Sequence, residues 1–178
     1  LGSKIAWVAV GLALIGTMVR WYESHQIGPD IGHIPVSNLY EVFVLFCWMT
    51  ALFYLYYEMQ YRTRALGAFV MLVVSAAVGF LLWYTLEREA QAIQPLVPAL
   101  HSVWFVIHIV AAATAGAMFN VGGLASILFL LRTRAERKGA VKGYLARLPE
   151  PIVLDRIAYR VTAFAFPLWT FTIAAGSI

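Results

Sequence analysis

The sequence predicts an all-α, polytopic integral membrane helical bundle of about five transmembrane helices, with the N-terminus inside and the C-terminus outside. Three observations carry this. Apolar residues make up 62% of the 178 positions and the mean hydropathy is +0.78, whereas ordinary soluble domains are about half apolar. Charged residues amount to only 12% and gather between long apolar runs instead of spreading along helix faces. The basic residues also sort by connection. Lys4, Arg62, Arg64, Arg132, Arg134, Arg137, Lys138, Lys142, Arg147, Arg156 and Arg160 fall on one side of the predicted membrane, and only Arg20 and Arg88 on the other, eleven against two.

Taken in order, the apolar runs place spans at about residues 5–19, 38–57, 65–84, 101–131 and 157–178. About 20 helical residues cross a bilayer core, so each run is long enough, the first only marginally. No small-residue cleavage site follows the first run, and it is one of several alike, so it reads as a span and not a signal peptide. Residues 1–178 form a single transmembrane domain. Two extracytoplasmic loops are expected at 20–37 and 85–100, and a basic cytoplasmic connection at 132–156. The first loop, "RWYESHQIGPDIGHIPVSNLYE" through Glu41, is rich in Gly, Pro and His and reads as ordered. In the second, Pro95 and Pro98 precede the long fourth span, as they often do at a helix start. The cytoplasmic connection is interrupted by Gly139, Gly143, Pro149 and Pro151, and reads as a topological anchor with a surface helix. The chain opens without methionine and stops at Gly176-Ser177-Ile178 directly off a span, which reads as part of a longer protein.

Composition also excludes several function classes. The only cysteine, Cys47, lies in an apolar run, so intrachain disulfides, CxxC redox chemistry and cysteine metal sites are ruled out; an inert buried thiol is the expected state. The net charge of +4 is accounted for by topology, and no basic folded domain is left over to bind nucleic acid. There is no Gly-rich phosphate loop, no candidate catalytic triad and no HExxH.

The histidines are the notable polar residues. Arg132 fixes the inner end of the fourth span, and counting back about 20 residues puts its outer edge near Ala112. His108 then lies about 6 Å outside that edge and His101 about 16 Å outside, at 1.5 Å per residue. His25 and His33 fall in the first outer loop, so all four belong to the extracytoplasmic side. His101 and His108 share a helix face but stand roughly 10 Å apart. Two axial ligands of one haem iron approach from opposite faces at about 2 Å each. One helix cannot supply both at this spacing, so a histidine that binds haem here needs a partner from another segment. Hydrogen bonding to loops or headgroups is the plain alternative, the stronger one for His25 and His101.

Other features read structurally. Asn38 with Glu41 three residues on is a capping-box-like start to the second span. Tyr54, Tyr56, Tyr57, Tyr61, Trp21, Tyr22, Trp83 and Tyr84 fall at span ends and fit aromatic belts. Gly116, Gly122 and Gly123 permit close helix packing in the fourth span, where Asn120 is expected to bond across helices.

Three segments in order, "GHIPVSNLYEVFVLFCW" (32–48), "PALHSVWFVIHIVAAATAGAMF" (98–119) and "LDRIAYRVTAFAFPLWTFTIAAGSI" (154–178), resemble the CcsA/ResC family (CcsB in some bacteria), the membrane components of system II cytochrome c biogenesis. In that family a tryptophan-rich "WWD" segment comes next, and this chain ends before it. The resemblance implies transient binding of b-type haem and its presentation at the extracytoplasmic face to apocytochrome c, with a ResB/CcsB-like membrane partner. Such a protein is the membrane component of a cytochrome c synthase, or haem lyase. It implies the plasma membrane of a bacterium, or a thylakoid. By its place in "SVWFVIH", His108 matches the family's axial haem ligand; His101 is the weaker candidate, and His33 matches the family's "GHxPxSNxYE" loop. The second axial ligand would lie beyond Ile178. The competing classes are a membrane b-type cytochrome, which needs histidine pairs at matching depth on separate spans, and a transporter or structural subunit, which leaves the histidines unexplained.

Overall fold

The structure is a computed structural model that describes residues 2–28, 32–88, 92–93 and 102–176. Five long helices run in sequence: α1 (Gly2–Ile27), α2 (Leu39–Tyr61), α3 (Arg64–Arg88), α4 (Val103–Arg137) and α5 (Pro151–Ala175). A short 3₁₀ helix, Gly143–Arg147, lies between the last two. All five are long and apolar enough to cross a membrane, and no strand occurs among the described residues. The chain is a multi-pass membrane protein built as an all-α bundle.

The helices overrun the apolar runs at most of their ends. α1 continues past Arg20 to Ile27 because Arg20 folds back onto Glu41 of α2 and its charge does not need bulk water. α4 continues through Arg132 and Arg134 to Arg137, where Arg132 is held by Glu136 at 2.9 Å and by the Leu145 carbonyl. α5 starts at Pro151, ahead of the apolar run, with proline in its first turn where the missing N–H costs nothing. Ser102 caps α4 by accepting from the Trp104 N–H. Between α2 and α3 the chain turns within two residues, with Arg62 at φ 53°. Consecutive helices therefore alternate in direction.

α4 and α5 form the most extensive pair, followed by α2 with α4 and α2 with α3. Many of the buried residues of α4 are small, among them Ala111, Ala115, Ala117, Gly122 and Ala125. Small residues let helix backbones approach where lipid removes most of the hydrophobic drive for association. At Gly122 a Cβ would stand 3.1 Å from Thr162 Oγ1 and 3.4 Å from Val161, so this glycine is required for the close approach; at Gly123 nothing lies within 4 Å. Asn120 departs from expectation, since its Oδ1 is buried without a hydrogen-bond partner and makes no bond across helices. Tyr54 and Tyr57 are buried, not interfacial, and Tyr54 donates to Glu58, whereas Tyr22, Tyr56 and Trp83 are exposed as a belt requires. α1 is the least embedded helix, with only Val10 and Ser24 buried, and it packs chiefly on α2.

Candidate functional site: the His108 end of the bundle

The end of α1, the starts of α2 and α4 and the end of α5 meet at one end of the bundle. Val36, in the loop before α2, packs with Leu45 and Ala113 and against Phe105, Val106 and Ile109 of α4. This apolar knot brings the loop carrying His33 to the helix carrying His108. Phe43 of α2 meets Phe80 of α3 at 5.5 Å, so α3 ends here too.

The loop is held by a polar chain. Ser24 of α1 donates to the Trp21 carbonyl at 2.7 Å and to the His33 carbonyl at 3.2 Å. His33 Nε2 lies 2.8 Å from Ser37 Oγ, and Ser37 donates through both its N–H and its hydroxyl to Glu41 Oε2, each at 2.8 Å. Glu41 Oε1 accepts from Arg20 Nε at 2.7 Å, and the guanidinium also lies over the Tyr40 ring. The Asn38 side chain accepts from the Glu41 N–H at 2.9 Å, so the predicted N-cap forms. The carboxylate half of the capping box turns instead to Ser37 and Arg20. Glu41 is therefore a buried acid whose charge is neutralised by a basic residue on another helix. A signal for this stood in the sequence, because Arg20 is one of only two basic residues assigned to that side.

The four histidines differ in their surroundings. His25 is exposed, its Nδ1 2.9 Å from the Trp21 carbonyl and its ring edge-on to Trp21. His33 is half-buried and engaged with Ser37. His101 lies outside the described residues. His108 is half-buried with its Nδ1 buried and without a hydrogen-bond partner. Its ring lies against Gly176, just past the last turn of α5. A buried polar atom without a partner costs about 1–3 kcal/mol, a cost borne where the Nδ1 edge of His108 is held against the end of α5. Trp104, four residues before His108 on α4, is exposed, as are Trp169 and Phe171 in the last turns of α5 before Gly176. An imidazole carried by a rigid helix and packed against a second helix end suits one axial ligand of a haem iron. Among the described residues no group of three or more His, Cys, Asp or Glu side chains could hold a free metal ion.

The model of the cytochrome C assembly protein family matches residues 36–178, most of the chain and all of α2 to α5. The chain belongs to the cytochrome c assembly family. Among its relatives, the cytochrome c biogenesis protein CcsA of Chlamydomonas reinhardtii is 31% identical over 170 residues, covering 94% of this chain and 45% of the relative. The CcsA of Guillardia theta is 30% identical over 192 residues, covering 99% and 60%. The CcsA of Synechococcus elongatus is 28% identical over 207 residues, covering 93% and 61%. The chain thus spans 45–61% of the length of these curated relatives. No solved structure matches it. The resemblance drawn from three sequence segments holds, and α1 is the one helix of this cytochrome c assembly protein outside the family match.

Proposed function

We propose that this chain acts in c-type cytochrome biogenesis by binding haem at the His108 end of its bundle and presenting it to apocytochrome c. The observation that carries the reading is the setting of His108, a half-buried imidazole on the first turns of α4 with its Nδ1 edge packed against the end of α5, in a member of the cytochrome c assembly family. Haem, when bound, supplies an iron for axial ligation and vinyl groups for thioether bonds to a Cys-x-x-Cys-His motif. The chain's own part is positioning. α4 carries the imidazole to the rim, Ser102 caps the turn before it, and the packed Phe105, Val106 and Ile109 fix the helix that bears it. His101 and His33 are the secondary candidates, His33 being already engaged with Ser37.

The basic residues assign the rest. With Arg62, Arg134, Arg137, Lys138, Lys142, Arg147 and Arg156 at the opposite end, the chain lies N-in and C-out, and the His108 end is extracytoplasmic. Residues 20–37 and 85–100, most of the latter outside the described residues, are then the outward connections and 132–156 the inward one. Haem is b-type and transient here, the second axial ligand comes from outside this chain, and a ResB/CcsB-like membrane partner completes a cytochrome c synthase. The membrane is a bacterial plasma membrane or a thylakoid, in keeping with relatives from cyanobacteria and plastid-bearing algae.

The test is haem content and absorption spectrum of the protein purified from membranes. His108→Ala is expected to lose haem or shift its spectrum, and His25→Ala to change neither. An unaltered spectrum and haem content in His108→Ala would overturn the assignment.

A further inference from the structure

We propose that Gly176 is a positioning residue that sets the direction of the His108 imidazole; this rests on the haem-ligand reading of His108. A Cβ at position 176 would stand 2.6 Å from His108 Cε1, 3.2 Å from its Nδ1 and 3.3 Å from the Thr172 carbonyl oxygen. Real Cβ atoms do not come closer than about 3.0 Å to a neighbour, so any side chain at 176 displaces something. The backbone conformation does not call for glycine: φ −80° and ψ −7° are ordinary right-handed values. What glycine supplies is room for the ring.

The backbone at 176 cannot retreat to make that room. Its N–H bonds to the Thr172 carbonyl at 3.0 Å and closes the last turn of α5. α4 is equally fixed by its Ser102 cap and by its long interface with α5. The free variable is the imidazole itself, the tip of a side chain with two rotatable bonds. An added methyl group therefore turns the ring and leaves the helices in place. In the native chain the Nδ1 edge is closed off by α5, which leaves Nε2 as the nitrogen for iron. The pairing of α4 with α5 thus selects both the ligating atom and its aim, a part taken in other metal sites by hydrogen-bonded outer groups.

The experiment compares Gly176→Ala, Gly123→Ala and His108→Ala in detergent-solubilised protein. Gly123 is the control for a methyl group added where nothing lies within 4 Å. The first readout needs no haem: carbethoxylation of His108 by diethyl pyrocarbonate in haem-free protein, followed by mass spectrometry. Gly176→Ala is expected to speed modification of His108, and Gly123→Ala to leave it unchanged, with equal unfolding temperatures. The second readout is titration with ferric haem in the presence of free imidazole, which supplies the second strong axial ligand, followed by absorption and electron paramagnetic resonance. Gly176→Ala is expected to lower haem affinity about tenfold, the low end for outer-shell changes, and to shift the low-spin g-values. Native carbethoxylation together with a native haem spectrum in Gly176→Ala overturns the proposal. If His108→Ala keeps native haem binding while Gly176→Ala still speeds carbethoxylation, the haem reading falls and the control of the ring by Gly176 stands.

Discussion

Arg20 and Glu41 meet at 2.7 Å with side-chain exposures of 17% and 2%, so both charges have largely left water. Removing one partner from such a pair strands the other, which typically costs about 3–5 kcal/mol, whereas replacing both with apolar side chains of similar volume is often neutral. Arg20→Ala is accordingly expected to destabilise the bundle by about 3 kcal/mol, and Arg20→Met with Glu41→Leu to be less harmful than either single change. Thermal unfolding in detergent reads both; additive losses in the double variant would show that the pair contributes nothing as a pair. At this scale the sequence was legible where chemistry is local. The Asn38 cap and the outward place of Trp21, Tyr22 and Trp83 follow from residues close in the chain. Beyond the hint that Arg20 gave, partners on different helices were not legible, because Tyr54 within the core and His108 with Gly176 depend on how one helix is rotated and slid along another.

Between elements, the α4–α5 seam is the most extensive in the bundle and brings Gly176 to His108. At Gly122 the two helices approach closely, with Thr162 and Val161 across it. Gly122→Val is expected to wedge the seam and cost about 1–3 kcal/mol, as overpacking commonly does, while Gly123→Ala is neutral. Chemical denaturation monitored by tryptophan fluorescence distinguishes them, and equal stability of the two variants would argue against close approach at 122. The five spans were legible because hydropathy reports the bilayer directly. Their ends were not, because a helix stops where its backbone loses partners and not where apolarity stops. Arg132 and Arg134 stay helical beyond the apolar run, with Arg132 bound to Glu136 and to the Leu145 carbonyl.

For the whole molecule, the segregation of basic residues predicts which end each labelling reagent can reach. With membrane-impermeant maleimide applied to sealed, right-side-out cells or vesicles, Glu23→Cys is expected to react and Arg134→Cys to react only after permeabilisation. Each is made in a Cys47→Ala background; the buried Cys47 itself resists the reagent. The reverse pattern would invert the orientation and place the His108 end on the cytoplasmic side, against the proposed function.

α1 lies outside the family match and buries little of itself, yet it is fastened at both ends. Near its start Ser3 donates to Glu58, which also accepts from Tyr54; near its finish Arg20 pairs with Glu41. Between these clasps runs an apolar cleft of about 320 Å³ lined by Ala6, Ala9 and Ala13 of α1 and by residues of α2 and α3. The helix therefore behaves as a lid on two acids of α2. Stripping it away would cost little greasy contact but would uncork a carboxylate at each end of its neighbour, so its loss would register as an electrical fault in α2 before it registered as a gap in the bundle.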